Sequence, residues 1–207
     1  MNKLANASGL GYAVFALTLW LASMEPAGWF DPSGAALAPL LFARPGDVLL
    51  PLLVAVLGGG VLALAGIGQY LRGRMLDSVL FLAFAGYWWI AALTRHALDT
   101  HAFAPTTGFL GWYYITWAFL AFCIWLAALG DDIARMLFTL GLCVALLVFA
   151  LASWIHVTEL TVLGGYFGLV TAVVGIYIAA AEIINGTRGH VVFPLGESLT
   201  GSRSNHH

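Results

Sequence analysis

The chain has 207 residues, of which 61% are hydrophobic and 9% charged, with a formal net charge of −2. A water-soluble domain carries about 25% charged residues. So few charges cannot cover a surface facing water, lipid is the alternative solvent, and the near-neutral balance argues against a nucleic-acid partner.

A helix crossing about 30 Å of hydrocarbon needs about 20 apolar residues. The sequence predicts six such helices, over residues 9–24, 48–71, 76–93, 109–129, 133–154 and 160–184. In lipid a backbone must satisfy its own hydrogen bonds, so the fold class is all-α, a polytopic six-helix transmembrane bundle. Before the first helix stands Lys3, with no small-residue cleavage site after the apolar run, so this helix reads as retained rather than as a signal peptide. Pro51 opens the second helix, where a missing N–H costs little. The first loop, 25–47, holds an apolar piece at 35–42 that is too short to span. Arg72, Gly73 and Arg74 form a tight turn between the second and third helices. A longer loop is expected over 94–108. Gly130 suits the end of the fourth helix and Asp131 and Asp132 the cap of the fifth. Residues 156–159 turn into the sixth. The domain covers residues 1–200, and 201–207 read as a linker with a truncated His tag.

Basic residues give the orientation. With the N-terminus inside, Lys3, Arg72, Arg74, Arg135, Arg188 and Arg203 are cytoplasmic, and Arg44 and Arg95 are outside. This fits the positive-inside rule with both termini cytoplasmic in a bacterial-type plasma (inner) membrane. Trp29, Trp112, Trp154, Tyr70 and Tyr113 fall near helix ends, as an interfacial aromatic belt requires.

Ionisable residues within spans are the default functional candidates, because they are expensive there. Asp77 opens the third helix and reads as a first-turn residue facing water. Glu182 lies in the last turns of the sixth, where it either snorkels to the cytoplasm or meets a neighbouring helix or pore. His156 reads as an exposed loop residue beside Glu159. Lys3 is the only lysine, which excludes an intramembrane Schiff base. Neither a zinc-protease motif, nor a paired-histidine haem site, nor a phosphate-binding loop is visible. Cys123 and Cys143 sit in apolar runs as packing residues, without metal or disulfide spacing. No catalytic residue, metal or cofactor is expected. Gly58, Gly59, Gly60, Gly66, Gly86, Gly164, Gly165, Gly168 and Gly175 allow close helix approach. The residues by themselves point to a small helical transporter or channel rather than an enzyme.

Several segments carry a resemblance. Asn6-Ala7-Ser8-Gly9-Leu10-Gly11-Tyr12 is similar to an Asn-Pro-Ala-Pro-Leu-Gly-Leu motif with both prolines lost. Phe15 follows three residues later. Ala65-Gly66 with Tyr70 and Gly73, Phe81 with Phe84, Tyr87 and Trp88, and Phe109-Leu110-Gly111 with Tyr113 follow in order. The chain closes on Tyr177 and Glu182, then Phe193-Pro194-Leu195-Gly196. Together these resemble the acetate uptake transporter family of bacterial succinate–acetate permeases and fungal acetate and ammonia-export proteins.

The resemblance implies a six-helix bundle, assembled as a homo-oligomer, a hexamer, with an anion pathway through each protomer. It implies an apolar constriction at Phe15, Phe84 and a residue near Val144. It implies substrate contacts at Asn6, Leu10, Gly11, Tyr12, Tyr87 and Trp88, with Glu182 as the proton-coupling candidate. The expected function is transport of small monocarboxylates, acetate first and succinate second, by a proton-coupled carrier or an anion channel. The alternatives are an ammonia or other small-solute channel and a non-transporting scaffold or sensor subunit.

Overall fold

A helix packed into a bundle needs an apolar face of large side chains, and the first apolar run supplies one. In the computed structural model, which describes residues 6–29, 49–99 and 105–198, helix α1 (Ser8–Met24) buries Tyr12, Val14, Phe15, Ala16 and Leu19 at once. The second apolar stretch is continuous but not uniform. It starts as α2 (Leu49–Leu53), passes through a π-helical segment (Val54–Val61) and ends as α3 (Leu62–Leu71). The wider turn coincides with Gly58 and Gly59, against which Trp88 and Trp89 are pressed; a Cβ at either glycine would stand 2.6 Å from an indole atom. Such π segments cluster at functional sites.

Helices α4 (Met75–Asp99), α5 (Thr107–Ala128), α6 (Ile133–Ile155) and α7 (Thr158–Arg188) complete the bundle. Helix α1 packs most extensively on α7, which pairs with α6, and α6 pairs with α5. Among the described residues five segments are long and apolar enough to cross a bilayer: Pro51–Leu71, Met75–Leu98, Thr107–Ala128, Ile133–Ile155 and Thr158–Arg188. The expected sixth, α1, is a shorter apolar helix. The loop expected over 94–108 is helical as far as Asp99, and Arg95 within that extension pairs with Glu25 at 2.6 Å. Among the described residues the elements are all helical. Residues 30–48 and 199–207, including the 35–42 piece, Arg44 and Arg203, lie outside the described residues, as does Lys3.

The caps follow local chemistry. Asp132 accepts from the Arg135 backbone N–H at 2.9 Å and caps α6 as expected. Gly130 does not take the left-handed conformation; Gly73 and Gly189 do, ending α3 and α7. After α7 the chain folds back. Asn185 accepts from the Val192 and Phe193 N–H groups, and Tyr177 donates to the Pro194 carbonyl. The Leu195 carbonyl then receives the Ala134 N–H at the open start of α6. This return brings Tyr177, Pro194 and Leu195 together against α6 and α7.

Most of the glycines expected to permit close packing do so within the chain. Gly164 faces Phe149 on α6, Gly168 faces Ser23 on α1, and Gly175 meets Phe138 and Ala16. Gly86, by contrast, has open space in front of it. At Gly165 a Cβ would stand 2.4 Å from the backbone nitrogen of Ala27, which cannot rotate away. Gly165→Ala is therefore expected to cost about 1–3 kcal/mol by overpacking. Gly186→Ala, also on α7 but facing open space, should gain up to about 1 kcal/mol from helix propensity. Melting curves in detergent should move in opposite directions for the two.

Candidate functional site

One face of α1 organises the candidate pathway. Ser8, Tyr12, Phe15, Leu19 and Ser23 recur at three- and four-residue spacing, so they form one stripe along the helix. At its start the stripe meets a buried polar cluster, at its middle a set of rings, and at its end a cavity.

The cluster centres on Arg135. Its guanidinium is ion-paired with Asp132 and Glu182, lies 3.4 Å from Asp77 Oδ1 and 3.8 Å from Asp131, and donates to Ser8 Oγ at 3.2 Å. Arg135 reaches these groups because the first turn of α6 faces inward, with its side chain 4% exposed. Asp77 is 1% exposed and accepts from the Tyr12 hydroxyl at 3.0 Å and the Ser8 hydroxyl at 3.4 Å, with Arg74 at 3.3 Å. This corrects the expectation that Asp77 faces water: its buried charge is neutralised by Arg135 from across the bundle. Asn6 donates to Glu182 at 2.9 Å and accepts from Gln69 at 3.0 Å. Burial pushes the Asp132 carboxyl above its ordinary range, although Arg135 pulls the other way.

Next come the rings. Tyr12 sits edge-on to Phe138 and Phe81, with centroids 5.4 and 5.1 Å away, and the Arg135 guanidinium is 5.5 Å from its own centroid. Phe15 is fully buried and touches Phe138 at 5.1 Å, Phe84 at 5.2 Å and Trp88 at 6.2 Å. Phe84 continues the stack to Tyr87 and Trp117, both at 5.8 Å. Beyond the rings opens a cavity of about 820 Å³ lined by Leu19, Ser23, Tyr87, Trp88, Arg95 and Tyr114 among others. Trp88 lines this cavity while 3% exposed, and its indole N–H is buried without a hydrogen-bond partner. Arg95 and Glu25 form an ion pair on the wall. His156 also lines it, held by Thr107 and the Trp154 carbonyl.

Residues 45–197 match the model of the GPR1/FUN34/yaaH family. The chain belongs to that family. The succinate-acetate/proton symporter SatP of Escherichia coli is 27% identical over 200 residues, covering 95% of this chain and 98% of the symporter. An uncharacterised protein of Methanothermobacter thermautotrophicus is 25% identical over 205 residues, covering 93% of this chain and 92% of its own. In three dimensions the solved bacterial acetate channel SatP superposes with a TM-score of 0.82 at 23% identity, over 94% of this chain and all of that one. That likeness fixes a shared membrane-bundle fold. The two SatP relatives are named as a symporter and as a channel.

Of the residues singled out by the family resemblance, the structure brings Phe15, Phe84, Tyr87 and Trp88 together at one level. Tyr12 lies beneath them. Asn6 and Glu182 meet each other at the Arg135 cluster. Three expectations fall elsewhere. Leu10 is 49% exposed on the outer side of α1. Gly11 is a packing position, filled by the Phe81 ring; a Cβ there would stand 2.1 Å from Phe81 Cε2. Val144 is half-buried and outside the core cluster that joins Phe15 to Phe84. The ring that α6 contributes is Phe138, six positions earlier. Phe138, Arg135 and Asp77 are the residues that sequence reasoning missed. Arg135 carried a signal: an arginine at the edge of an apolar helix, preceded by two aspartates, with two further carboxylates at the ends of other helices.

Proposed function

We propose that this chain moves small monocarboxylates, acetate first, across the membrane along the α1 stripe. The observation that carries the reading is the cavity of about 820 Å³ that closes onto a collar of aromatic rings beside the unpartnered Trp88 N–H. A buried donor without an acceptor costs about 1–3 kcal/mol. A carboxylate resting on the collar supplies that acceptor, and the rings receive its methyl group. The relatives named for succinate, acetate and proton support the same substrate class. Glu182 supplies a group that a proton-coupled carrier requires. In this reading α1 is the sixth spanning helix, with one face buried in the bundle and Leu10 and Leu17 on its outer face. The chain sits in a bacterial-type inner membrane as a homo-oligomer, a hexamer.

Radiolabelled acetate uptake into proteoliposomes tests the proposal. Uptake above that of empty liposomes, inhibited by unlabelled acetate, is expected. Its absence from correctly folded, reconstituted protein leaves the scaffold or sensor reading instead.

The orientation puts the Asn6–Arg135–Glu182 cluster at the cytoplasmic end and the cavity outside. Reporter fusions at the Arg72–Arg74 turn and after residue 198 should both read cytoplasmic. An external signal from either would overturn the six-span arrangement.

A further inference from the structure

We propose that Arg135 is an inner binding site for the substrate's carboxylate, occupied when protonation of Glu182 releases the guanidinium. The inference deepens the transport reading and rests on it.

The cluster holds more negative than positive charge. Arg135 and Arg74 face four carboxylates: Asp77 from α4, Asp131 and Asp132 before α6, and Glu182 from α7. Asn6 before α1, Ser8 and Tyr12 on α1 and Gln69 on α3 add neutral groups there. The carboxylates differ in how firmly they are held. Asp132 also caps α6 through the Arg135 N–H, and Asp77 is held by Tyr12, Ser8 and Arg74. Glu182 has, besides Arg135, the amide of Asn6. Its side chain is 15% exposed against 1% for Asp77, so it is within reach of solvent and a proton.

A protonated Glu182 keeps its bond from Asn6 and loses its attraction for Arg135. The donor then left facing the vacated place is the Arg135 Nη2 group, while the Ser8 hydroxyl stays on Asp77. The Arg135 Nε–H is buried with no aligned acceptor even in the ion-paired state. These donors lie directly beneath the Tyr12 and Phe138 rings, next along the stripe from Phe15. A carboxylate that has passed the collar therefore meets a guanidinium, whose planar fork matches it in shape. The exchange balances: one proton enters from solution onto Glu182, and one Arg135–carboxylate pair replaces another. The net charge of the site is the same before and after.

The test is acetate binding to the purified full-length protein by calorimetry. Wild-type affinity should fall as the pH is raised from about 6 to about 8, by up to about tenfold for each pH unit, as the competent protonated fraction shrinks. Glu182→Gln removes the competing charge. It should bind acetate more tightly than wild type at the upper pH and lose the slope, whereas Glu159→Gln, an exposed residue at the far end of α7, should keep it. Arg135→Lys retains charge without the fork and should weaken binding in both backgrounds. Equal or weaker acetate binding by Glu182→Gln, with the slope retained, would overturn the exchange. A measurement on wild type alone stands beside the variants: in weak buffer, binding should take up about one proton per acetate at the upper pH. Acetate flux without that uptake sinks the exchange and leaves the transport reading intact. No flux at all sinks the transport reading first.

Discussion

Phe15→Ala is expected to raise acetate flux per folded molecule and to admit longer carboxylates, while lowering the yield of folded protein. The ring is fully buried and is the one member of the collar that touches Phe84, Phe138 and Trp88 together. Its removal opens the ring level of the stripe. Apolar constrictions gate by dewetting, so a wider, wetter collar conducts better. Discrimination by a single methylene in an apolar pocket amounts to about 1–3 kcal/mol. Acetate-over-propionate preference should therefore drop by roughly tenfold once the pocket no longer fits. The same truncation leaves a cavity costing about 3–5 kcal/mol. Flux must accordingly be normalised to folded protein in the liposomes. Wild-type flux per folded molecule with unchanged selectivity would mean that Phe15 only fills the core.

Sequence patterning reached the helices because apolar runs of about 20 residues leave few alternatives. It also reached the Asp132 cap, since caps are local; the return of the tail onto Tyr177 and Asn185 was not read from it. Through resemblance it named Phe15 and Phe84 for a constriction and Tyr87 and Trp88 for substrate contact; in the structure these four rings lie together. It failed where a residue's role depends on the rotation of another helix. Whether Phe138 or Val144 faces Phe15 is set by how α6 turns against α1, and the nearly continuous apolar sequence of α6 does not encode that angle. Asp77 failed for a related reason. A first-turn aspartate on an isolated helix faces water, and only the Arg135 side chain from α6 makes its burial affordable. The shortness of α1 was legible as a number, but which of its faces is buried was not. Local sequence shows length, whereas burial depends on how the chain returns.

Arg135→Ala should be the most destabilising single change in the molecule outside the collar. One guanidinium joins Ser8 of α1, Asp77 of α4, Asp132 at the start of α6 and Glu182 of α7. Removing it leaves Asp77, 1% exposed, with only the half-exposed Arg74 as a cation, and leaves two other carboxylates without theirs. Breaking a buried ion pair from one side costs about 3–5 kcal/mol, because the remaining charge has lost both water and partner. In a chain of this size that corresponds to a fall in melting temperature on the order of 10 °C. Asp77→Asn should cost less. The amide oxygen still accepts from Tyr12 and Ser8, and Arg135 keeps Asp132 and Glu182. Arg74→Ala should cost under about 1 kcal/mol, since that side chain is 47% exposed and its pair is screened. The expected order in detergent melts is therefore Arg135→Ala, then Asp77→Asn, then Arg74→Ala. Combining Asp77→Asn with Arg135→Ala should cost less than the sum of the two, because the double variant no longer strands the Asp77 charge. Strict additivity, or an Arg135→Ala protein that melts with wild type, would show that the cluster is solvated and that Arg135 does not tie the four helices together.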